Sequence, residues 1–177
     1  MKRLGLLRHA KADCDDAGVR DFERGLSERG KRGAALIGRA ITQHGPGWDA
    51  IVASPAERVR RTLEASGLPG EPRFEERVYL ADAPTLVEVL RAVPGNPASV
   101  LLAGHNPGLH ELLFHLSDPD DESPFLAQAC DKFPTAAFAL LELAIDDWAS
   151  LAAGCGKLIR FIRPRDLDPT LGPVRIG

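Results

Sequence analysis

Short apolar runs recur along this chain at strand length: Arg3 to Leu7, Asp49 to Ala53, Val100 to Ala103, Ala137 to Leu143 and Lys157 to Ile162. Between them the hydrophobic period changes to that of a helix. Ala34, Ile37 and Ile41 share one face behind Ser27, a candidate N-cap, and Leu86, Val89, Leu90 and Val93 form a second apolar stripe. Leu109, Leu112, Leu113 and Leu116 make a third. The Asp- and Pro-rich stretch Ser117 to Pro124 reads as a solvated loop, and Gly45-Pro46-Gly47 and Pro94-Gly95-Asn96-Pro97 punctuate other junctions. Strands alternating with helices predict an α/β domain with a mainly parallel sheet.

The length of 177 residues suits one domain spanning 1–177, with no repeat or interdomain linker. A formal net charge of −3 offers no general attraction for nucleic acid or a membrane surface, so any bound anion must meet local arginines. No apolar run approaches the roughly 20 residues of a membrane span, and no signal-like apolar segment follows Lys2-Arg3. Cys14, Cys130 and Cys155 are odd in number and lack a CxxC spacing, which indicates neither a disulfide framework nor a zinc site. A soluble, unprocessed cytoplasmic protein is expected.

Candidate chemistry sits at the ends of the strands. Arg8-His9 follows the first run directly, and Gly104-His105-Asn106-Pro107-Gly108 follows the run Val100 to Ala103. In an open parallel sheet, ligands bind outside the carboxyl ends of the strands, so both histidines stand where such a fold places its site. Ser54-Pro55-Ala56-Glu57-Arg58 comes after the second run and starts a helix, with Arg58 in its first turn facing the rim of His9. Three strand ends thus deliver Arg8, His9, Arg58 and His105 to one edge. Two of those turns open helices whose free amides favour anions.

Leu7-Arg8-His9-Ala10-Lys11, Arg24-Gly25-Leu26-Ser27-Glu28-Arg29-Gly30, Ser54-Pro55-Ala56-Glu57-Arg58-Val59-Arg60-Arg61-Thr62 and Gly104-His105-Asn106-Pro107-Gly108-Leu109, in that order, carry a resemblance. The chain resembles the histidine phosphatase superfamily and, within it, the short phosphohistidine phosphatases of the SixA type. The resemblance implies a phosphoglycerate-mutase-like fold, a three-layer α/β/α arrangement with a mainly parallel central sheet. It implies that His9 is a nucleophile forming a phosphohistidine, that Arg8, Arg58 and His105 surround the transferred phosphoryl group, and that no metal or cofactor takes part. Elementary electrostatics agrees: two guanidiniums neutralise the equatorial oxygens of a phosphoryl group in transfer, and their charge favours the neutral imidazole that a nucleophile requires.

Two departures from the family pattern leave the reacting groups in place: Ala10 stands where many members carry Gly, and Gly25 where SixA-like chains often carry Pro. The general acid is less readily placed. Asp82, followed by Glu88, is the nearby carboxylate, but Asp82 precedes a helix, so N-capping and proton donation are both open to it. Lys11, Arg20, Arg24 and Asn106 are candidates for the pocket rim. Ser54 lacks a Gly-x-Ser-x-Gly elbow and is read as a capping residue, not a nucleophile. His105, His110 and His115 recur every five residues and miss the i, i+4 spacing of paired metal ligands, which leaves His110 and His115 as helix-surface residues and His44 as a helix-end residue. Arg60 and Arg61 read as solvated.

The expected activity is a metal-independent phosphatase acting through phospho-His9 on a phosphorylated protein, phosphohistidine being the substrate class that the resemblance implies. Only about forty residues separate Arg58 from Val100, which leaves little chain for a lid and suits an open site. The same openness would admit small phosphomonoesters, making a broad phosphomonoesterase the alternative. A mutase needs a more enclosed pocket. A noncatalytic phosphate-recognition module is a further alternative, although binding alone would need only the arginines.

Overall fold

The computed structural model describes residues 1–15, 18–45 and 47–173. Pro46, part of the predicted Gly45-Pro46-Gly47 junction, lies outside the described residues. Along the chain run β1 (Lys2–Arg8), α1 (Glu28–His44), β2 (Ala50–Ala53), α2 (Glu57–Ser66), β3 (Pro72–Phe74) and α3 (Ala83–Arg91). They are followed by β4 (Ser99–Gly104), α4 (Gly108–Leu116), α5 (Pro124–Asp131), β5 (Phe138–Leu143), β6 (Gly156–Ile162) and the single turn α6 (Pro164–Leu167). The sheet has the order β3-β2-β4-β1-β5-β6. Parallel pairing links β3 to β2, β2 to β4 and β4 to β1, while β5 lies antiparallel between β1 and β6. Only β5 therefore runs against the common direction.

Alternation along the strands builds one apolar layer on each face. Leu4, Leu6, Val100 and Leu102 pack with Leu86 and Leu90 of α3 and Leu109 and Leu112 of α4. Leu7, Leu101 and Ala103 pack on the other side with Ile37 and Ile41 of α1 and Val59 and Leu63 of α2. The result is the expected α/β/α stack. Because β4 inserts beside β1, the helices that follow these two strands leave on opposite faces, and a crevice opens at their carboxyl ends.

Local chemistry explains most element boundaries. Ser27 caps α1, its Oγ accepting from the Gly30 amide at 3.0 Å. Two elements differ from the sequence reading. The edge strand β3 has only three residues and no clear alternation, and α5 follows the predicted loop, starting at Pro124 after Ser123 accepts from the Phe125 amide at 3.1 Å. Helices α1 and α2 meet closely where a Cβ on Gly38 would overlap the Ser66 carbonyl oxygen. Gly38→Ala is therefore expected to lower stability by about 1–3 kcal/mol in urea denaturation, as overpacking does. Gly25→Ala, where an added Cβ meets nothing within 4 Å, is expected to stay within about 0.5 kcal/mol of wild type.

Candidate active site

The register of β1 on β4 brings the two histidines together. Arg8 lies opposite Gly104, and the His9 amide continues the ladder by donating to the Gly104 carbonyl at 3.1 Å. One residue beyond that carbonyl, the His105 ring stands with its centroid 5.3 Å from that of His9. The Ala136 amide, donating to the carbonyls of Arg8 (3.1 Å) and His9 (3.0 Å), holds the chain as it leaves the sheet. Ala136 adopts a left-handed backbone, φ 59°, to do so.

His9 Nδ1 lies 2.8 Å from the Ala10 carbonyl. A carbonyl only accepts, so Nδ1 carries the proton and Nε2 keeps its lone pair. Burial, reinforced by the charges of Arg8 and Arg58, lowers the pKa of His9 to about 4 against the opposing Ala10 hydrogen bond. The ring is therefore neutral at physiological pH. The backbone beneath it is fixed too: the Ala10 amide donates to Thr62 Oγ1 at 2.9 Å, and that hydroxyl donates to the Arg58 carbonyl at 2.6 Å.

His105 is only 3% exposed. Its Nδ1 accepts from Arg58 Nη2 at 3.3 Å, which leaves the proton on Nε2, 2.7 Å from Ser54 Oγ. Burial, followed by the charge of Arg58, pushes its pKa down to about 3. Arg58 is itself buried and held by the loop ahead of α1, donating to the Asp21 carbonyl at 2.8 Å and to Asp21 Oδ2 at 3.1 Å. Tyr79 Oη donates to the same carboxylate oxygen at 2.5 Å and packs edge-on against His105. These contacts, the tyrosine's foremost, keep the Asp21 carboxyl below its ordinary range despite partial burial.

Arg8 Nη1 donates to the Phe133 carbonyl at 3.1 Å, and Asn106 Nδ2 reaches the same oxygen at 2.8 Å. Arg8 Nε and Arg24 Nε are buried and meet no acceptor among the described residues. Such donors fit an anion that neither protein group supplies. Two neutral imidazoles and two guanidiniums, one of them paired with Asp21, thus converge on one edge of an α/β sheet, an arrangement suited to a phosphoryl group.

Other residues singled out in the sequence fall as follows. Asp82 is exposed and N-caps α3, its Oδ1 accepting from the Thr85 amide at 3.0 Å, which lowers its carboxyl pKa. Lys11 lies in the turn after His9, where its carbonyl takes the Ser27 amide at 3.0 Å, and Arg24 follows the short turn carrying Asp21. Arg20 is exposed and paired with Glu23 at 2.9 Å. Arg61 pairs with Glu57 and Glu64, while Arg60 stacks over Phe74 at 3.9 Å. His44 ends α1 and His115 is exposed. His110, read as a surface residue, instead donates from Nε2 to the Ala129 carbonyl at 2.6 Å and ties α4 to α5. Ser54 is not the N-cap of α2, a position held by Ala56; it accepts from the Ala56 amide at 3.2 Å while supporting His105. Asp21, Tyr79 and the partnership of Ser54 with His105 escape sequence reasoning, and only the presence of Asp21 between Arg20 and Arg24 offers a signal for any of them. Among the described residues, no group of three or more His, Cys, Asp or Glu is placed to hold a metal ion.

Comparison with known proteins carries the class to a family. The profile of the histidine phosphatase superfamily (branch 1) matches residues 4–79. An uncharacterized protein of Mycobacterium tuberculosis is 35% identical over 160 residues, covering 90% of this chain and 100% of its own. A structure from Nakamurella multipartitia, proposed to be a SixA phosphohistidine phosphatase, is 30% identical with a TM-score of 0.82, covering 92% of this chain and 96% of the other. A second structure so described, from Agrobacterium tumefaciens, is also 30% identical, with a TM-score of 0.76 and coverages of 92% and 98%. The chain belongs to the histidine phosphatase superfamily.

Both histidines have folded pKa values below the roughly 6.5 of an unfolded chain, so acidification protonates the unfolded state first. Stability contributed by their neutral burial is present above about pH 6.5 and is lost as pH falls toward 4. NMR titration of the imidazoles is expected to show His9 and His105 neutral from pH 8 down to about pH 5, judged from the value of about 4 for His9. A midpoint for either ring near the ordinary histidine value would contradict the burial and charge described above.

Proposed function

We propose that this phosphatase acts on phosphohistidine in proteins, through a covalent phosphoryl intermediate on His9 and without a metal ion. The observation that carries the reading is the His9 tautomer: Nδ1 is committed to the Ala10 carbonyl, leaving Nε2 as the free nucleophile. Nε2 attacks phosphorus, the bond to the leaving group breaks, and the phosphoryl group rests on His9. Water then attacks phosphorus, the bond from phosphorus to Nε2 breaks, and inorganic phosphate departs with the neutral ring restored. Arg8, Arg58 and His105 would stabilise the equatorial oxygens through both steps. Arg58 must exchange its bond to Asp21 for one to substrate as phosphate arrives.

The leaving group distinguishes the substrate classes. Asp82, the carboxylate singled out for proton donation, and Asp21, the one that meets Arg58, are both held ionised by their hydrogen bonds. Neither is prepared to protonate an alkoxide. A protonated phosphohistidine releases neutral imidazole and needs no such donor, which supports the phosphoramidate reading over an alkyl ester. The short connection supports it as well, since between α2 and β4 lie only β3, a 3-10 turn (Glu76–Val78) and α3. The same shortness favours the second reading, a broad phosphomonoesterase, and the likeness at 30% identity to two solved structures proposed to be SixA phosphohistidine phosphatases favours the first.

His9→Ala is expected to abolish both turnover and acid-labile labelling of the protein by a 32P phosphodonor while leaving the folded spectrum intact; turnover within tenfold of wild type would remove His9 from the reaction. Arg58→Ala should lower kcat/KM by a factor corresponding to about 3 kcal/mol or more. Activity should survive exhaustive EDTA treatment, because the cations that would stabilise the transferred group are side chains. Assays with a phosphohistidine peptide, p-nitrophenyl phosphate and an alkyl phosphate separate the two readings: a preference for the alkyl ester would favour the phosphomonoesterase. Asp82→Asn should alter all three rates by less than about threefold, and selective loss on the alkyl ester would restore Asp82 as a proton donor.

A further inference from the structure

A second concavity lies beside the nucleophile's turn, on the α1 side of the sheet. Its volume is about 370 Å³, within the size range of small-molecule sites. Ala10 and Ala136 form part of its wall, the same residues that hold the backbone of His9. Five cationic side chains line it, Lys11, Arg29, Lys132, Arg163 and Arg165, and among the described residues no carboxylate does. In a chain of net charge −3 this is a strong local excess.

The excess is only partly neutralised. Elsewhere on the surface Arg20, Lys31, Arg61 and Arg77 each lie within salt-bridge distance of a neighbouring carboxylate, whereas among the described residues Arg3, Arg32, Arg39 and Arg73 have no such partner. Of the five at the cavity, Arg163 alone has such a partner, Asp166, whose two oxygens clamp its Nε and Nη2 at 3.0 and 2.8 Å. Arg29 is fixed differently, donating to the Gly172 carbonyl. Among the described residues, Lys11, Lys132 and Arg165 make no ion pair. Two arms are thus held in place while three remain available to a ligand.

Gly33 supplies an independent sign that the space is kept open. It lies inside α1, where glycine costs about 1 kcal/mol relative to alanine. No close approach demands it: a Cβ at this position would make only ordinary contacts, 3.9 Å from Ala136 Cβ and from Pro164. Gly30 and Gly38 in the same helix differ, since a Cβ on either would overlap a backbone carbonyl. What a side chain at position 33 would take away is room on the floor of the cavity, which Ala136 and Pro164 also line.

We propose that this cavity is a second anion site, separate from the phosphoryl site at His9, and that it takes a small molecule bearing two or more phosphate or carboxylate groups. Several cations around a small apolar floor favour multiple negative charges over one, since each further anionic group gains its own partner. The proposal stands whether or not the chain hydrolyses phosphohistidine, because it concerns binding alone.

Calorimetric titration of the full chain with inorganic tripolyphosphate tests it. The phosphoryl site is removed from the measurement by Arg58→Ala, in which affinity is expected to stay within threefold of wild type. Lys132→Ala combined with Arg165→Ala should weaken binding at least tenfold, and raising the salt from 50 to 300 mM should weaken it further. Gly33→Leu should abolish binding, whereas Gly33→Ala should raise the thermal midpoint while reducing affinity. Amide NMR shifts provide a readout on the unsubstituted protein: tripolyphosphate should move Lys132 to Ala136 and Arg163 to Arg165 at ligand levels that leave Gly104 to Asn106 unmoved. Absence of tripolyphosphate binding overturns the proposal. So does binding that disappears with Arg58→Ala and ignores Lys132 and Arg165, because the phosphoryl site would then be its sole seat.

Discussion

The pairing of β1 with β4 is the constraint on which the site depends. These strands are adjacent in space but separated by most of the first hundred residues, and their parallel register aligns the last residue of one with the last residue of the other. A slip by one residue would turn Leu4, Leu6 and Leu7 to the wrong faces, so the two apolar layers enforce the register that brings His9 beside His105. The packing of the core and the placement of the chemistry are consequences of the same ladder. Strand β5 then adds what a wholly parallel sheet would not. Running against its neighbours, it begins at the edge where β1 ends, so the segment leading into it brings the Phe133 carbonyl to Arg8 and the Ala136 amide to the turn of His9.

Charge at this edge is arranged to keep the imidazoles neutral without leaving the guanidiniums bare. Burying two histidines near Arg8 and Arg58 would be costly if either ring were protonated, and the lowered pKa values express that cost. Arg58, in turn, is too deeply buried to stand alone, and Asp21 and Tyr79 close over it. The loop ahead of α1 thus contributes a carboxylate that offsets the charge of Arg58 yet remains partly exposed, where an incoming anion can compete with it. Ser54 and Thr62 do quieter work beneath the site, the first supporting His105 and the second the Ala10 amide.

Much of the fold was legible because the four inner strands leave dense apolar runs, and the edge strand β6 keeps an alternating one. β3 leaves neither, since it sits at the sheet edge with Arg73 and Phe74 exposed and its pairing depends on β2. α5 was hidden for a related reason: Ala129 is its only fully buried residue, so its sequence shows little periodicity, and the Asp- and Pro-rich stretch before it masks its start. At the site, residues that follow strands directly, His9 and His105, could be grouped from the sequence because chain topology alone decides where strand ends fall. Asp21, Tyr79 and Ser54 come together through loop conformation and side-chain direction, which no periodicity records. Asp82 shows the limit from the other side: a carboxylate just before a helix is compatible with several roles, and its observed hydrogen bond is to the Thr85 amide.

Ala136 joins two of these features through its backbone. A left-handed conformation at a residue other than glycine costs roughly 1–2 kcal/mol, and here the return is an amide aimed at two carbonyls in the turn of His9. The conformation also filters which side chains the position can accept. Valine, isoleucine and threonine tolerate it least, because their branched Cβ crowds the backbone. The geometry that steadies the turn of His9 therefore excludes branched side chains from one wall of the adjoining cavity, and its breadth there is protected by the backbone itself.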